Sequence, residues 1–417
     1  MSNKVNALHS TASRIFVGLL MGLAIFMLAQ ARPPQAPRPA WKIEPLTSPA
    51  GANSSEPQIT VQGSRAILSW LEIDTERTTL KFSERIPSGW SAPQAVASND
   101  LFYINSFDVP SVRALADGTL VAHWIEANIE GSGDNPEASN LHLSWSKDKG
   151  RTWSKPMTPH HDGTETGHGF ASIFQAPGGG FGVLWIDGRA VDPKKMTGDT
   201  GLRSSLFDRN GKQFPETVVD SRVCECCSTA VAETSEGLIA AYRDRSANEI
   251  RDIYVSRFTA GRWLAPTVVH QDNWRIQACP INGPAVSAKG REVAVAWFVA
   301  KDDMGRAFVA FSHDAGRTFG QAVRVDDANS VGRLGVEMLD DGSAAVTWIE
   351  STNDGPQFRL RRISPRGERS AAITIAATSG SRYTRIARVG NELLFSWTDG
   401  DDGDVSRVRT ARASLGQ

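Results

Sequence analysis

Three of the four cysteines in this chain, Cys224, Cys226 and Cys227, fall within four positions, and Cys279 is the fourth. His160, His161 and His168 stand upstream and His270 just before Cys279. Sulfur and imidazole at this density do one of three things: they close disulfides, hold a soft metal, or exchange disulfides as a reactive thiol pair. The N-terminus bears on the choice. Lys4 and Arg14 precede the apolar run Ile15 to Ala29, and Ala29-Gln30-Ala31 supplies the small residues of a signal-peptidase site. Residues 1–31 are therefore read as a signal peptide or, if uncleaved, an N-terminal membrane anchor. Export to a periplasmic or extracellular space makes disulfides the default for an even cysteine count. Cys279 is expected to bridge to one member of the run, leaving a short-range pair from Cys224, Cys226 and Cys227. The alternative is a copper or zinc site built from Cys224, Cys226, Cys227, Cys279 and His168; C-x-C-C is not the familiar C-x-x-C spacing, so no metal or other cofactor is the primary expectation.

Carboxylates form a second pattern. Glu72, Glu126, Asp187, Asp244, Glu350 and Asp399 each stand two residues after a Trp or Tyr, with Val299 the exception. Acids gathered at one place need cations between them, and Arg189, Arg243, Arg245 and Arg251 are close in sequence. Each acid is read as a loop cap paired with an arginine, and Asp187 and Asp244 are the candidates for proton transfer.

The elements that must position these groups are legible from the aromatics. Seven segments share one form, an alternating apolar strand ending in an aromatic: "AILSW", "LVAHW", "FGVLW", "LIAAY", "VAVAW", "AAVTW" and "LLFSW", ending at Trp70, Trp124, Trp185, Tyr242, Trp297, Trp348 and Trp397. They recur roughly every 50–60 residues, with Gly-containing turns between period-2 strands, which predicts an all-β propeller of four-stranded blades. The count gives seven blades, or six if one unit is irregular. The last unit ends without a fourth strand, while "WKIEPLTSP" at Trp41 is a fourth strand without its first three. The N-terminal strand is thus expected to complete the last blade and close the ring, removing open sheet edges. Residues 32–40, "RPPQAPRPA", are a Pro-rich linker, and 41–417 form the propeller. The net charge of −1 argues against nucleic acid as a partner; a monomer is expected.

Ser146-Lys-Asp148-Lys-Gly150-Arg-Thr152-Trp153 and Ser312-His-Asp314-Ala-Gly316-Arg-Thr318-Phe319 resemble the Asp-box, or BNR, repeat of sialidases and related propellers. The residues that carry it, Asp148, Gly150, Trp153, Asp314, Gly316 and Phe319, read as hairpin braces rather than chemistry: Asp caps turn amides, Gly takes the left-handed conformation and the aromatic packs between blades. These hairpins join third to fourth strands, so the opposite edge, holding the blade-to-blade connections, is the functional one. The resemblance implies an exo-α-sialidase-like glycoside hydrolase, with arginines for a substrate carboxylate, a Tyr nucleophile and an Asp acid/base. "SRYTRIARVGNELLFSW" resembles the segment that bears the family's Tyr, which puts Tyr383 in that role beside Arg382; Arg333 enters the preceding blade similarly, and Arg243 or Arg245 supplies a third cation. Asp187 and Asp244 are the acid/base candidates. Arg85-Ile86-Pro87 imitates the family's R-I-P but falls on the Asp-box edge. The expected ligand is a glycan or other small anion at the channel mouth; the competing expectation is a non-catalytic scaffold or metal-handling protein that uses the Cys/His loops.

Overall fold

The computed structural model describes residues 41–105, 107–128, 135, 138–192, 194–195, 197–378, 383–400 and 405–416. The leader and linker, residues 1–40, and Arg382 lie outside the described residues. All described regular structure is β, arranged as seven antiparallel sheets.

Each sheet is one sequence repeat, and its second strand is the aromatic-terminated segment. In the third blade His168–Gln175, Phe181–Asp187, Gly201–Phe207 and Thr217–Asp220 follow one another outward. The second blade has three strands among the described residues, with Leu143 bridging to Met157 at its outer margin. The seventh blade is Thr384–Val389, Glu392–Asp399 and Arg407–Ser414, and its outermost strand is Glu44–Leu46. Glu44 lies opposite Arg412 and Leu46 opposite Thr410, and the Arg412 guanidinium sits 3.0 Å from Glu44 Oε2. The first and last segments of the ring are thus joined within one sheet, as the missing fourth strand required.

The alternation of the second strands buries one apolar row against each neighbouring blade. Trp70, Trp124, Trp185, Tyr242, Trp297 and Trp348 are all fully buried, and Trp397 is half-buried. Removing one such Trp side chain would cost about 3–5 kcal/mol. The first strands line a central channel, where Gln58, Ser111, Ser172, Ala230, Ala285, Gly335 and Thr384 come from seven different blades.

Three of the acids that follow the aromatics serve this core, whereas Glu350 accepts from the Asp327 and Ala328 N–H groups and leaves the Trp348 Nε1 without a partner among the described residues. Residues i and i+2 of a strand share a face, so the carboxylate reaches the indole N–H of its own Trp. Trp70 Nε1 donates to Glu72 at 2.9 Å, Trp124 Nε1 to Glu126 at 2.7 Å and Trp185 Nε1 to Asp187 at 2.8 Å. Where Val299 breaks the pattern, Asp272 from the preceding connection accepts from Trp297 Nε1 at 2.7 Å. These carboxylates let a large indole be buried with its donor satisfied.

The two S-x-D-x-G-x-T hairpins are built alike. Asp148 Oδ1 accepts from the Thr152 N–H at 2.9 Å and its Oδ2 from the Thr152 hydroxyl at 2.7 Å. Asp314 does the same with Thr318 at 2.9 and 2.7 Å. Gly150 has φ +86°, and a Cβ there would lie 2.4 Å from the Phe82 ring, so both its conformation and its closeness to the neighbouring blade require glycine. Trp153 packs edge-on against that same Phe82, ring centroids 6.0 Å apart. Arg85 pairs with Glu392 at 3.2 Å on this edge, away from the mouth.

Candidate functional site

On the opposite edge the first strands begin irregularly. Register shifts fall between Ser55 and Gln58, between Gly169 and Ser172, and between Gly332 and Gly335. Inside them Glu56, Phe170 and Arg333 hold φ of +54°, +52° and +55°. Left-handed conformations at non-glycine residues cost free energy that the surrounding structure must supply, and bulges re-aim side chains. Here three bulges on three different blades turn residues toward one mouth.

Around that mouth Arg333, Tyr383 and Arg385 border a small opening together with Phe107 and Asn282. Tyr383 Oη donates to the Asn105 carbonyl at 2.6 Å and lies 3.3 Å from Glu56 Oε1. Glu56 is 1% exposed, and its Oε2 has no hydrogen-bond partner among the described residues. Burial, and then the neighbouring Asp108, push its carboxyl well above the usual range, while the Tyr383 hydroxyl that donates to it pulls the other way. Asp108 is also buried; its Oδ2 accepts from the Phe170 N–H at 2.5 Å, and burial raises its pKa to about 7. Gly169 makes room for it, since a Cβ there would lie 2.2 Å from Asp108 Oδ2.

Two guanidiniums face this acid pair. Arg385 donates to Gln58 Oε1 at 2.6 Å, and burial and then the charge of Arg333 lower its pKa to about 10. Arg333 donates to the Ile281 carbonyl at 2.6 Å and lies over the Phe107 ring at 5.2 Å. Beside them opens a pocket of about 580 Å³ lined by Tyr103, Phe107, Asp108, Phe170, Arg245 and Cys279. Three aromatic side chains, a titratable carboxyl and a cation in one concave surface suit a polar ligand with an apolar face.

The other expected site residues have different employment. Asp187 has no exposed side-chain surface. It accepts from Trp185 and holds Arg189 through two contacts of 2.7 Å, so its assignment to proton transfer at the mouth gives way to a structural one. Although burial pushes the other way, Arg189 and then His168 keep its pKa low. Arg243 is 1% exposed and spends its guanidinium on the Asn282, Arg251 and Phe298 carbonyls, tying the fourth blade to the fifth; this corrects its assignment as a ligand-binding cation. Asp244 has a pKa raised to about 7 by burial and then by Asp220, and lies beside Tyr242 rather than on the pocket wall. Arg245 lines the pocket while gripping Glu249 at 2.7 Å.

The sulfur groups fall into two pairs. Cys226 and Cys279 form a disulfide that joins the connection before the fourth blade to the one before the fifth. Cys224 and Cys227 are both buried thiols with their Sγ atoms 3.1 Å apart. His168 belongs to a separate cluster: its Nε2 is 3.1 Å from Asp162, its Nδ1 faces the Ser139 and Thr166 carbonyls, and its ring stacks on His160 at 3.8 Å. The copper or zinc set drawn from the four cysteines plus His168 is therefore not gathered at one point. Glu56, Asp108 and Arg385 were missed in the sequence; Asp108 stood in a blade-to-blade connection, "INSFDVPS", and that placement was the available signal.

The ring of seven sheets, with its mouth on the connection edge, defines a seven-bladed β-propeller. Among solved structures, the chain is similar to the polysaccharide lyase Uly1, at 10% identity over 87% of this chain and 90% of that one, with a TM-score of 0.53. It is also similar to a NanB sialidase variant from Streptococcus pneumoniae, at 10% identity over 84% and 83% of the two chains and a TM-score of 0.49. An α-L-arabinofuranosidase variant from Fusarium graminearum, in complex with an iminosugar inhibitor, aligns at 11% identity over 89% and 96%, with a TM-score of 0.49. The likeness to Uly1 bears on the fold alone. No protein-family model matches the chain, and no curated protein matches it.

Proposed function

We propose that this propeller is an exported protein that binds an anionic sugar at the channel mouth and cleaves its glycosidic bond. The observation that carries the reading is the placing of Arg333 and Arg385 on one small opening beside Tyr383. Each guanidinium raises the cost of the other's charge, and a ligand carboxylate between them relieves it through charge-assisted hydrogen bonds. The sugar ring would occupy the adjoining pocket against Tyr103, Phe107 and Phe170. Asp108, with a pKa near neutrality, is the group suited to give a proton to the leaving oxygen. Tyr383 is the candidate nucleophile, one of the exceptions to the two-carboxylate rule for glycosidases; it acts as one only once its proton leaves the Asn105 carbonyl. The fold shared with a polysaccharide lyase supports a carbohydrate ligand, and the Cys226–Cys279 disulfide supports an oxidising compartment.

The test is turnover of a fluorogenic sialoside by purified protein. Release of the fluorophore by the wild type, abolished in Tyr383→Phe while the variant still binds sialic acid, is the expected outcome. No release from any carboxylated glycoside removes the catalytic half of the proposal and leaves binding to be judged separately.

A further inference from the structure

The cysteine loop is not consumed by sugar binding, and its geometry is that of a reaction path. The buried pair sits in C-x-x-C spacing, Cys224-Glu225-Cys226-Cys227, with a disulfide-bonded cysteine between the two thiols. Cys224 Sγ is 3.1 Å from Cys227 Sγ and 3.8 Å from Cys226 Sγ, so one thiol neighbours both its partner thiol and a disulfide sulfur. Arg251, 2% exposed, places Nη1 3.3 Å from Cys224 Sγ and is itself held by Glu225 at 3.0 Å. A thiolate at Cys224 is thus stabilised by a thiol donor and a buried cation: the Cys227 hydrogen bond, then the nearby arginines, bring its pKa to about 7 despite burial. Burial pushes the Cys227 thiol up. Cys279, in contrast, is exposed and lines the pocket.

We propose that Cys224, Cys226, Cys227 and Cys279 form a thiol–disulfide exchange centre in the pocket wall, in which the disulfide migrates between the pocket-lining Cys226–Cys279 pair and the buried Cys224–Cys227 pair. In the first step the Cys224 thiolate attacks Cys226 Sγ; the Cys224–Cys226 bond forms, the Cys226–Cys279 bond breaks, and Cys279 leaves as a thiolate into the pocket. In the second step Cys227, losing its proton, attacks Cys224 Sγ; Cys224–Cys227 forms and Cys226 leaves and takes up that proton. The protein's total of one disulfide and two thiols is unchanged, so no outside oxidant is needed. What changes is exposure: a dithiol now faces the pocket. Its substrate is a low-molecular-weight disulfide, which Cys279 attacks to give a mixed disulfide and one released thiol. Cys226 then closes Cys226–Cys279 again and expels the second thiol, so the substrate is reduced by two electrons and the protein gains a second disulfide. This activity is independent of the sugar reading.

The test uses the linkages themselves. Trypsin places Cys224, Cys226 and Cys227 on one peptide, residues 223–243, and Cys279 on another, residues 276–289. Folded wild-type protein is incubated with excess iodoacetamide at about pH 8, where thiolates form, then quenched, digested and weighed. The expected product carries label on both Cys279 and Cys226, while peptide 223–243 holds an internal Cys224–Cys227 disulfide, its mass that of the reduced peptide plus one carbamidomethyl group and less two hydrogens. In Cys227→Ser the relay should halt at Cys224–Cys226 with Cys279 labelled. With oxidised glutathione in place of iodoacetamide, wild-type protein should release two equivalents of glutathione and end with both disulfides closed. If the two peptides stay joined in the wild type after prolonged incubation and any label falls on Cys224 or Cys227, the relay does not exist, whatever the variant does.

Discussion

Asp187→Ala is expected to destabilise the propeller by about 3–5 kcal/mol, the cost of removing one partner from a buried ion pair. The carboxylate has no exposed surface and serves several groups at once: the Trp185 indole at 2.8 Å, Arg189 at 2.7 Å and His168 at 3.8 Å. Its loss strands a buried indole N–H and leaves the Arg189 cation leaning on Glu216 and Asp162 alone. The denaturant midpoint should fall sharply, whereas Asp192→Ala, on an exposed loop, should move it by no more than about 0.5 kcal/mol. Equal midpoints for the two variants would remove the structural account of Asp187, the acid that follows Trp185.

That pattern marks the limit of what the sequence made legible. The aromatic strands recur once per blade and are buried on both faces, so the propeller, its count of seven or six and ring closure by Glu44–Leu46 could be read from the repeats. The acids at i+2 were visible too and read as loop caps paired with arginines; Asp187 does hold Arg189 and Glu350 does accept from the Asp327 and Ala328 N–H groups, but Glu72, Glu126 and Asp187 also accept from the indole on their own face of the strand. The residues that do face the mouth were hidden for the opposite reason. Glu56, Phe170 and Arg333 sit at bulges with positive φ, where the alternation of inward and outward side chains fails and period-2 reasoning assigns the wrong face. Asp108 carries no motif at all. The cysteines were noticed, yet the C-x-x-C pair inside C-x-C-C emerged only when Cys226 was seen bonded to Cys279.

Asp108→Asn is expected to lower the turnover of a susceptible glycoside by about 10²–10⁴-fold while changing KM little, the usual worth of a positioned proton donor. The sign of the pH dependence follows from its pKa, raised to about 7 by burial. The acid form, which must donate, is present below that value and is lost as pH rises through it. Wild-type kcat should therefore decline on the alkaline side of about pH 7, and the residual activity of the asparagine variant should lack that limb. An unchanged alkaline limb in Asp108→Asn would assign the proton to another group.

Catalysis at this mouth presupposes that the mouth holds an anion. Calorimetric titration of sialic acid into wild-type protein, Arg333→Ala and Arg385→Ala measures this without any turnover. The account predicts saturable binding by the wild type, weakened by about 10–100-fold in each variant, since a hydrogen bond to a charged group is worth about 1.5–3 kcal/mol. Binding that neither substitution alters, or no saturable heat with any carboxylated sugar, would contradict it.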